Sequence, residues 1–440
     1  YIDSAASADA IGYRPIGYSI FLRVVHAISA SDTFLVTLQY ILVQGASLWL
    51  FLTLVKRCGL SVRTGVIVLM VLLLNPMIPY LCNYVSSDAL FVGLSLIWIT
   101  VLMALVREPD WRLLALQVGL LFVIFHLRYV ALFYPAVASL TFLLMRKKGS
   151  TAFKLIGIIS SVGVVIACMG WIKHITYKQT GANVFSAFSG WQIANNALHL
   201  YPWVPVDTAG LPSPECRELA ADVRDYFEKA GPAILAKEPT STTEYMWVHS
   251  SPLHRYMADV RRRERTTYFN AWNRVAPVFT QYGYFLIRRH PLAYLRYYGW
   301  PSARSFFVPG PDVFAVYNEG NKTVDPIAMR WFRYRSIKVR VWSATIQASL
   351  LAPIPWICLF LNIAFVVVCL WFLGSRRCRE GFPVFTGALE LTAAYLLANA
   401  VFCIFASPSV LRYQVLPMIL LFLFTVSGLR ILIEKNKENP

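Results

Sequence analysis

Residues 34–55 read FLVTLQYILVQGASLWLFLTLV, a run with no charged side chain. At 1.5 Å of rise per residue such a run makes a helix of roughly 33 Å, enough to cross a hydrocarbon core about 30 Å thick. The pattern recurs without charge at 65–82, 89–106, 155–172 and 350–373. Two shorter runs, 113–127 and 129–145, are separated only by Arg128 and read as a helical hairpin with a polar corner. Residues 382–406 hold one carboxylate, Glu390, and 413–433 hold one cation, Arg430, near enough to the end of its run to snorkel. The reading is an all-α polytopic membrane protein with about nine transmembrane helices.

Composition agrees. Of 440 residues, 57% are hydrophobic and 15% charged, and the mean hydropathy is +0.53, too apolar for a soluble globular chain of this size. The same numbers exclude disorder and collagen. Lys and Arg outnumber Asp and Glu by 41 to 23, a balance that first suggests nucleic acid or an anionic surface. Topology explains much of it. Cys168, Cys358, Cys369 and Cys403 lie inside apolar runs, so the eight cysteines do not form a disulfide framework.

Basic residues cluster in alternate connections. Lys56, Arg57 and Arg63 follow the first run, Arg107 and Arg112 the third, and Arg146, Lys147, Lys148 and Lys154 the fifth. Arg376, Arg377 and Arg379 follow the seventh, and Lys435 and Lys437 close the tail. The positive-inside rule then puts these connections and the C-terminus in the cytoplasm. The other face carries residues 1–33, the turn at 75–88, the stretch 173–349 and the turn at 407–412. Tyr1 falls outside, and the absence of an initiating Met leads us to expect either a removed signal peptide or a further transmembrane helix upstream.

Three regions follow: residues 1–172, an external first loop with the N-terminal transmembrane helices; 173–349, an external, mostly helical domain; and 350–440, the C-terminal transmembrane helices. In the middle region Ser213 and Pro214 suit an N-cap and first helical position, Leu219, Val223 and Phe227 follow at helical spacing, and Gly231 ends the run. Residues 261–287 read as another helix, and 291–300 mix aromatics with Arg in the manner of an interface.

Several polar residues sit where the external face meets the membrane. Asp3 and Asp9 precede Tyr13, Arg14, Pro15, Ile16, Gly17 and Tyr18. Ser87 and Asp88 open the third run, Arg128 and Tyr129 form the corner, and Arg412 and Tyr413 open the last run. In this order and on one face, these motifs resemble the GT-C superfamily of membrane glycosyltransferases, which includes protein O-mannosyltransferases and lipid A aminoarabinose transferases. The resemblance covers the membrane part and fades across 173–349.

The resemblance implies transfer of a hexosyl or pentosyl group from a polyprenyl-phosphate donor to a lipid, protein or polysaccharide acceptor on the external face. It places a carboxylate of the first loop as general base or metal ligand: Asp3, Asp9, or an acid upstream of Tyr1. Asp88 is a second acid facing the site or a helix-terminal anion, and if a divalent cation such as Mg or Mn assists, Asp3 and Asp88 are the residues to hold it. Arg14, Arg128 and Arg412 bind the donor phosphate or snorkel to headgroups. Tyr13 and Tyr18 stack on sugar or belong to the aromatic belt, and Gly17 permits a tight turn. Trp191 and Asn195 offer a stacking face and an amide for sugar, or form an ordinary helix. The implied setting is a bacterial inner membrane with the large domain in the periplasm.

Glu390, near the cytoplasmic end of its run, reads as a structural partner or protonated carboxyl, and Arg261, Arg262, Arg263 and Arg265 as a solvated helix face. No cysteine or histidine spacing suits zinc, no glycine-rich loop suits nucleotide hydrolysis, and external cations face the wrong compartment for nucleic acid. Two other classes remain: an O-antigen ligase or polymerase using a diphosphate lipid, and a lipid or solute transporter without chemistry.

Overall fold

The computed structural model describes residues 1–58, 62–145, 149–341 and 343–438; at 57–58, 62–64, 344 and 434–438 it describes only the backbone. Arg146, Lys147 and Lys148 therefore lie outside the described residues, as do the side chains of Arg57, Arg63, Lys435 and Lys437. Every extended regular element among the described residues is helical, with two isolated bridges, Gly310 to Val410 and Thr323 to Lys338. Seven helical stretches are long and apolar enough to cross a membrane: Asp32–Lys56, Gly65–Asn83, Asp88–Arg107, Thr151–Thr180, Thr345–Gly374, Pro383–Ala406 and Leu411–Ile433. The protein is an all-helical integral membrane protein. The expected hairpin runs form two shorter apolar stretches, Trp111–Leu127 and Tyr129–Leu144.

The chain divides into two compact units. The first comprises Tyr1–Ile166, Phe307–Asn399 and Val410–Pro440, and the second Ala167–Phe306 with Ala400–Ser409. Residues 307–349, read from sequence as the end of an external domain, thus belong to the same unit as most of the apolar helices. One tie is the Tyr334 hydroxyl, which donates to Asp32 Oδ2 at 2.8 Å.

Within the first unit the Asp88–Arg107 and Leu411–Ile433 helices are the most enclosed, 78% and 67% of their apolar windows being buried against 44% or less for the other long stretches. A Cβ on Gly93 would lie 2.7 Å from Leu42, so the missing side chain is what lets the Asp32–Cys58 helix approach. The expectation that Gly17 makes a tight turn is not met. Gly17 opens the helix Gly17–Ile28, and a Cβ there would stand 2.5 Å from the His126 carbonyl oxygen, so the residue serves close packing. Arg128 is the corner: the helix Trp111–Leu127 ends there in extended backbone (φ −154°) before a 3-10 turn, Tyr129–Phe133. Three hydroxyls meet inside, Ser95 to Tyr134 at 2.9 Å and Tyr134 to Tyr395 at 3.1 Å.

The second unit has its own apolar core, set around the paired helices Ala187–Leu198 and Tyr268–Arg289. Glycines let them touch: a Cβ on Gly190 would strike the Ala276 carbonyl, and one on Gly283 would lie 2.7 Å from Ile193. Ser213 caps the helix Pro214–Leu235 by accepting from Cys216 N–H at 3.2 Å, as the sequence predicts, and Leu219, Val223 and Phe227 are buried. That helix continues four residues past Gly231 despite Pro232, whose carbonyl accepts from Ala236 N–H at 3.2 Å. The single helix expected over 261–287 is two, Pro252–Arg263 and Tyr268–Arg289. Arg265 takes a positive φ of 48°, and the Thr267 hydroxyl accepts from Asn270 N–H to start the second helix.

Candidate active site: an acid and two arginines at three helix ends

Asp88 is the first residue of its helix, where the backbone N–H groups and the helix dipole favour an anion. It is not the N-cap. That position is Ser87, whose hydroxyl lies 3.0 Å from the Tyr1 hydroxyl, while the Ser86 hydroxyl donates to Asp88 Oδ2 at 2.7 Å. Arg128, at the end of Trp111–Leu127, forms an ion pair with Asp88 Oδ1. Arg412, in the 3-10 turn Leu411–Gln414 that begins the last apolar stretch, brings Nη1 to 3.6 Å from Asp88 Oδ2. The Asp88 side chain is 4% exposed, that of Arg128 15% and that of Arg412 14%.

Aromatic rings hold the guanidinium groups in place. Arg128 sits 4.0 Å from the Tyr413 ring centroid and 5.5 Å from that of Phe91, and Arg412 lies 4.8 Å from Tyr413 and 5.8 Å from Tyr84. Ring faces attract cations, and the attraction grows where water is excluded.

A second acid, Asp312, reaches the cluster from the segment after Phe307. Its Oδ2 lies 3.2 Å from Arg412 Nε, an ion pair without the direction of a hydrogen bond. The segment is anchored by Leu411 N–H donating to the Gly310 carbonyl at 3.0 Å. The Tyr84 hydroxyl donates to Glu319 Oε1 at 3.2 Å, and burial pushes that phenol above its ordinary pKa against the pull of Arg412. Asp312, Asn318 and Glu319 all have φ near +50°, a conformation that costs free energy for residues with a Cβ. Asp312 and Glu319 were missed from sequence. The available signal was Pro309, Gly310 and Pro311, which mark a loop where an acid follows.

The sequence-predicted residues separate into three groups. Asp88, Arg128 and Arg412 are brought together. Arg14 is exposed, with its guanidinium 5.4 Å from the Tyr1 ring, and so lies one aromatic removed from Ser87. Tyr18 is fully buried, donating to Gln39 Oε1 at 2.9 Å, and its ring meets Tyr1 edge-on.

Asp3 and Asp9 are exposed, on and just after the helix Ile2–Ser7, and Tyr13 is exposed too. Trp191 and Asn195 lie in the core of the second unit with no exposed surface. Trp191 stacks on Trp272 at 3.9 Å and donates its Nε1–H to the Trp272 carbonyl, while the Asn195 amide serves the Thr242 carbonyl and Met246 N–H. Among the described residues no three His, Cys, Asp or Glu side chains converge as a metal site would need, and both Asp88 oxygens already face cations.

Chemically, the cluster is two cations balanced by two carboxylates in a mostly dehydrated spot. A guanidinium carries five N–H donors, so contact with carboxylates leaves capacity for an oxyanion. Comparison with protein-family models, with curated proteins and with solved structures finds no match to this chain.

Proposed function

We propose that this protein is a membrane glycosyltransferase of the GT-C kind, using a polyprenyl-phosphate sugar and acting at the membrane face that bears Asp88. The observation that carries the reading is the convergence of two largely buried arginines on one carboxylate at the ends of three apolar helices. A lipid-linked donor keeps its phosphate at the membrane surface, and that is where such helix ends lie.

In the proposed reaction the bond between the anomeric carbon and the phosphate oxygen breaks as the acceptor oxygen bonds to that carbon. The acceptor proton passes to a carboxylate of the first loop, Asp3 or Asp9. Arg128 and Arg412 neutralise the departing polyprenyl phosphate, an electrostatic contribution that grows in a site shielded from water. Asp312, a third exposed, yields its place on Arg412 to the phosphate. Asp88 holds the two arginines at the spacing the phosphate needs.

The topology belongs to the same proposal. Nine spans, counting the two short ones as crossings, put the basic connections in the cytoplasm and the Asp88 face outside, in the periplasm if the source is bacterial. The balanced charge of the cluster favours a rival reading, in which these residues only clamp helix ends.

The test uses the full-length protein in a bilayer with a panel of polyprenyl-phosphate sugars, reading release of polyprenyl phosphate. Arg128→Lys and Arg412→Lys keep the charge but lose the planar fork. We expect turnover by the wild type and a loss of about tenfold or more in each variant at unchanged melting temperature. Absence of turnover with every donor, or variants as active as the wild type, leaves the clamp. Turnover only when polyprenyl-diphosphate sugars replace that panel, with release of polyprenyl diphosphate, would identify the ligase-like class.

A further inference from the structure

A second site lies at the far end of the helix that Asp88 begins. A cavity of about 900 Å³ opens where Arg107 ends that helix, twenty residues or about 30 Å of helix from Asp88. Its walls are largely apolar, with Leu54, Met103, Leu144 and Phe385 among them. Among the described residues three cations line it, Arg107, Arg376 and Arg379, together with Glu380 and Glu390.

Two features mark it as built to hold a polar group. Glu390 lies inside an apolar helix, Pro383–Ala406, half-buried and without an ion-pair partner among the described residues. A carboxylate at such a depth is expensive unless it faces a partner or a polar cavity. Thr386, one turn earlier, is 4% exposed and its hydroxyl has no partner. Threonines in apolar helices satisfy the hydroxyl by donating to the carbonyl four residues back, as Thr100, Thr141 and Thr176 do here. Thr386, Thr392 and Thr425 do not, and of these three Thr386 lines the cavity.

We infer that this cavity binds an anionic phospholipid whose headgroup carries a hydroxyl, of the phosphatidylglycerol type. Among the described residues the lining bears three cations against two carboxylates, and Arg107 is also paired with Glu108 at 3.1 Å, so a phosphodiester falls to Arg376 and Arg379. Arg379 and Arg376 supply the guanidinium donors; the latter already shares its Nε–H with Glu380 at 2.8 Å. The headgroup hydroxyl donates to Glu390, the Thr386 hydroxyl donates to an ester or phosphate oxygen, and the acyl chains cover the apolar walls. The site stands apart from the glycosyltransferase reading and does not depend on it.

The experiment takes the full chain in mild detergent, delipidates it, and adds vesicles of phosphatidylglycerol, vesicles of phosphatidylcholine, or inorganic phosphate. Bound lipid is counted by native mass spectrometry, and thermal stability is followed in parallel. We expect phosphatidylglycerol alone to bind and raise the melting temperature. The double variant Arg376→Gln/Arg379→Gln should lose about tenfold or more in affinity, with Arg377→Gln, a neighbouring cation outside the lining, unaffected. Thr386→Val provides a milder variant if the double one fails to fold, and it too should bind more weakly. Equal binding of phosphatidylcholine, stabilisation by inorganic phosphate to the same extent, or unaltered affinity in both lining variants would overturn the inference.

Discussion

Replacing Asp88 by alanine should destabilise the protein by about 3–5 kcal/mol, the cost of leaving a buried charge without its partner. Asp88 is the only carboxylate within ion-pair reach of Arg128 among the described residues, whereas Arg412 also has Asp312 at 3.2 Å. The substitution therefore strands Arg128 at 15% exposure and leaves two guanidinium groups facing each other. Arg128→Met should cost less, about 1–3 kcal/mol, because Asp88 keeps Arg412 at 3.6 Å and the Ser86 hydroxyl at 2.7 Å. The double variant Asp88→Leu/Arg128→Met removes both charges and restores apolar contact, so it should be more stable than Asp88→Ala, despite carrying one more substitution. The assay is unfolding by SDS in mixed micelles, with each free-energy change taken relative to wild type. A loss below about 1 kcal/mol for Asp88→Ala, the range of exposed pairs, would refute the reasoning, as would a double variant no better than the single.

Other consequences are open to the same kind of measurement. Tyr18→Phe removes a donor from buried Gln39 and should cost about 1–2 kcal/mol on SDS unfolding. Gly190→Ala drives a methyl group at the Ala276 carbonyl and should cost about 1–3 kcal/mol, whereas Gly163→Ala, with open space around it, should be neutral or slightly stabilising; melting temperatures distinguish them. His199 donates Nε2–H to the Thr242 carbonyl at 2.8 Å, and burial lowers its pKa to about 4. Between the unfolded value near 6.5 and about 4 the unfolded chain holds the extra proton, so stability should fall with pH across that window by about 3 kcal/mol at most. Tryptophan fluorescence melts at pH 7 and pH 4.5 test this, and His199→Gln should flatten the dependence.

The apolar helices were legible because the bilayer imposes a length and bars charge, and both are properties of a linear stretch. The corner at Arg128 was legible too, since a lone cation between two apolar runs has to find water or a charge partner, here Asp88. Local chemistry also placed the Ser213 cap, but not the break near Arg265, because a left-handed residue in a run of arginines leaves no pattern to read. The surface expected at Trp191 and Asn195 illustrates a different limit. Stacking rings and amides suit a sugar and a protein core equally, and only burial separates the two uses.

From the sequence alone came the helical class, the membrane setting and the polar residues that end the apolar runs, since spacing along one chain fixes all three. Tertiary structure alone decided that Asp88, Arg128 and Arg412 share one small volume and that Asp312 completes their charge balance. Those residues lie up to 324 positions apart along the chain, and their meeting depends on how three helix ends and one loop pack. Glu390 shows the same division: its chemistry stands out in a string of letters, but the cavity it lines exists only once the helices are packed.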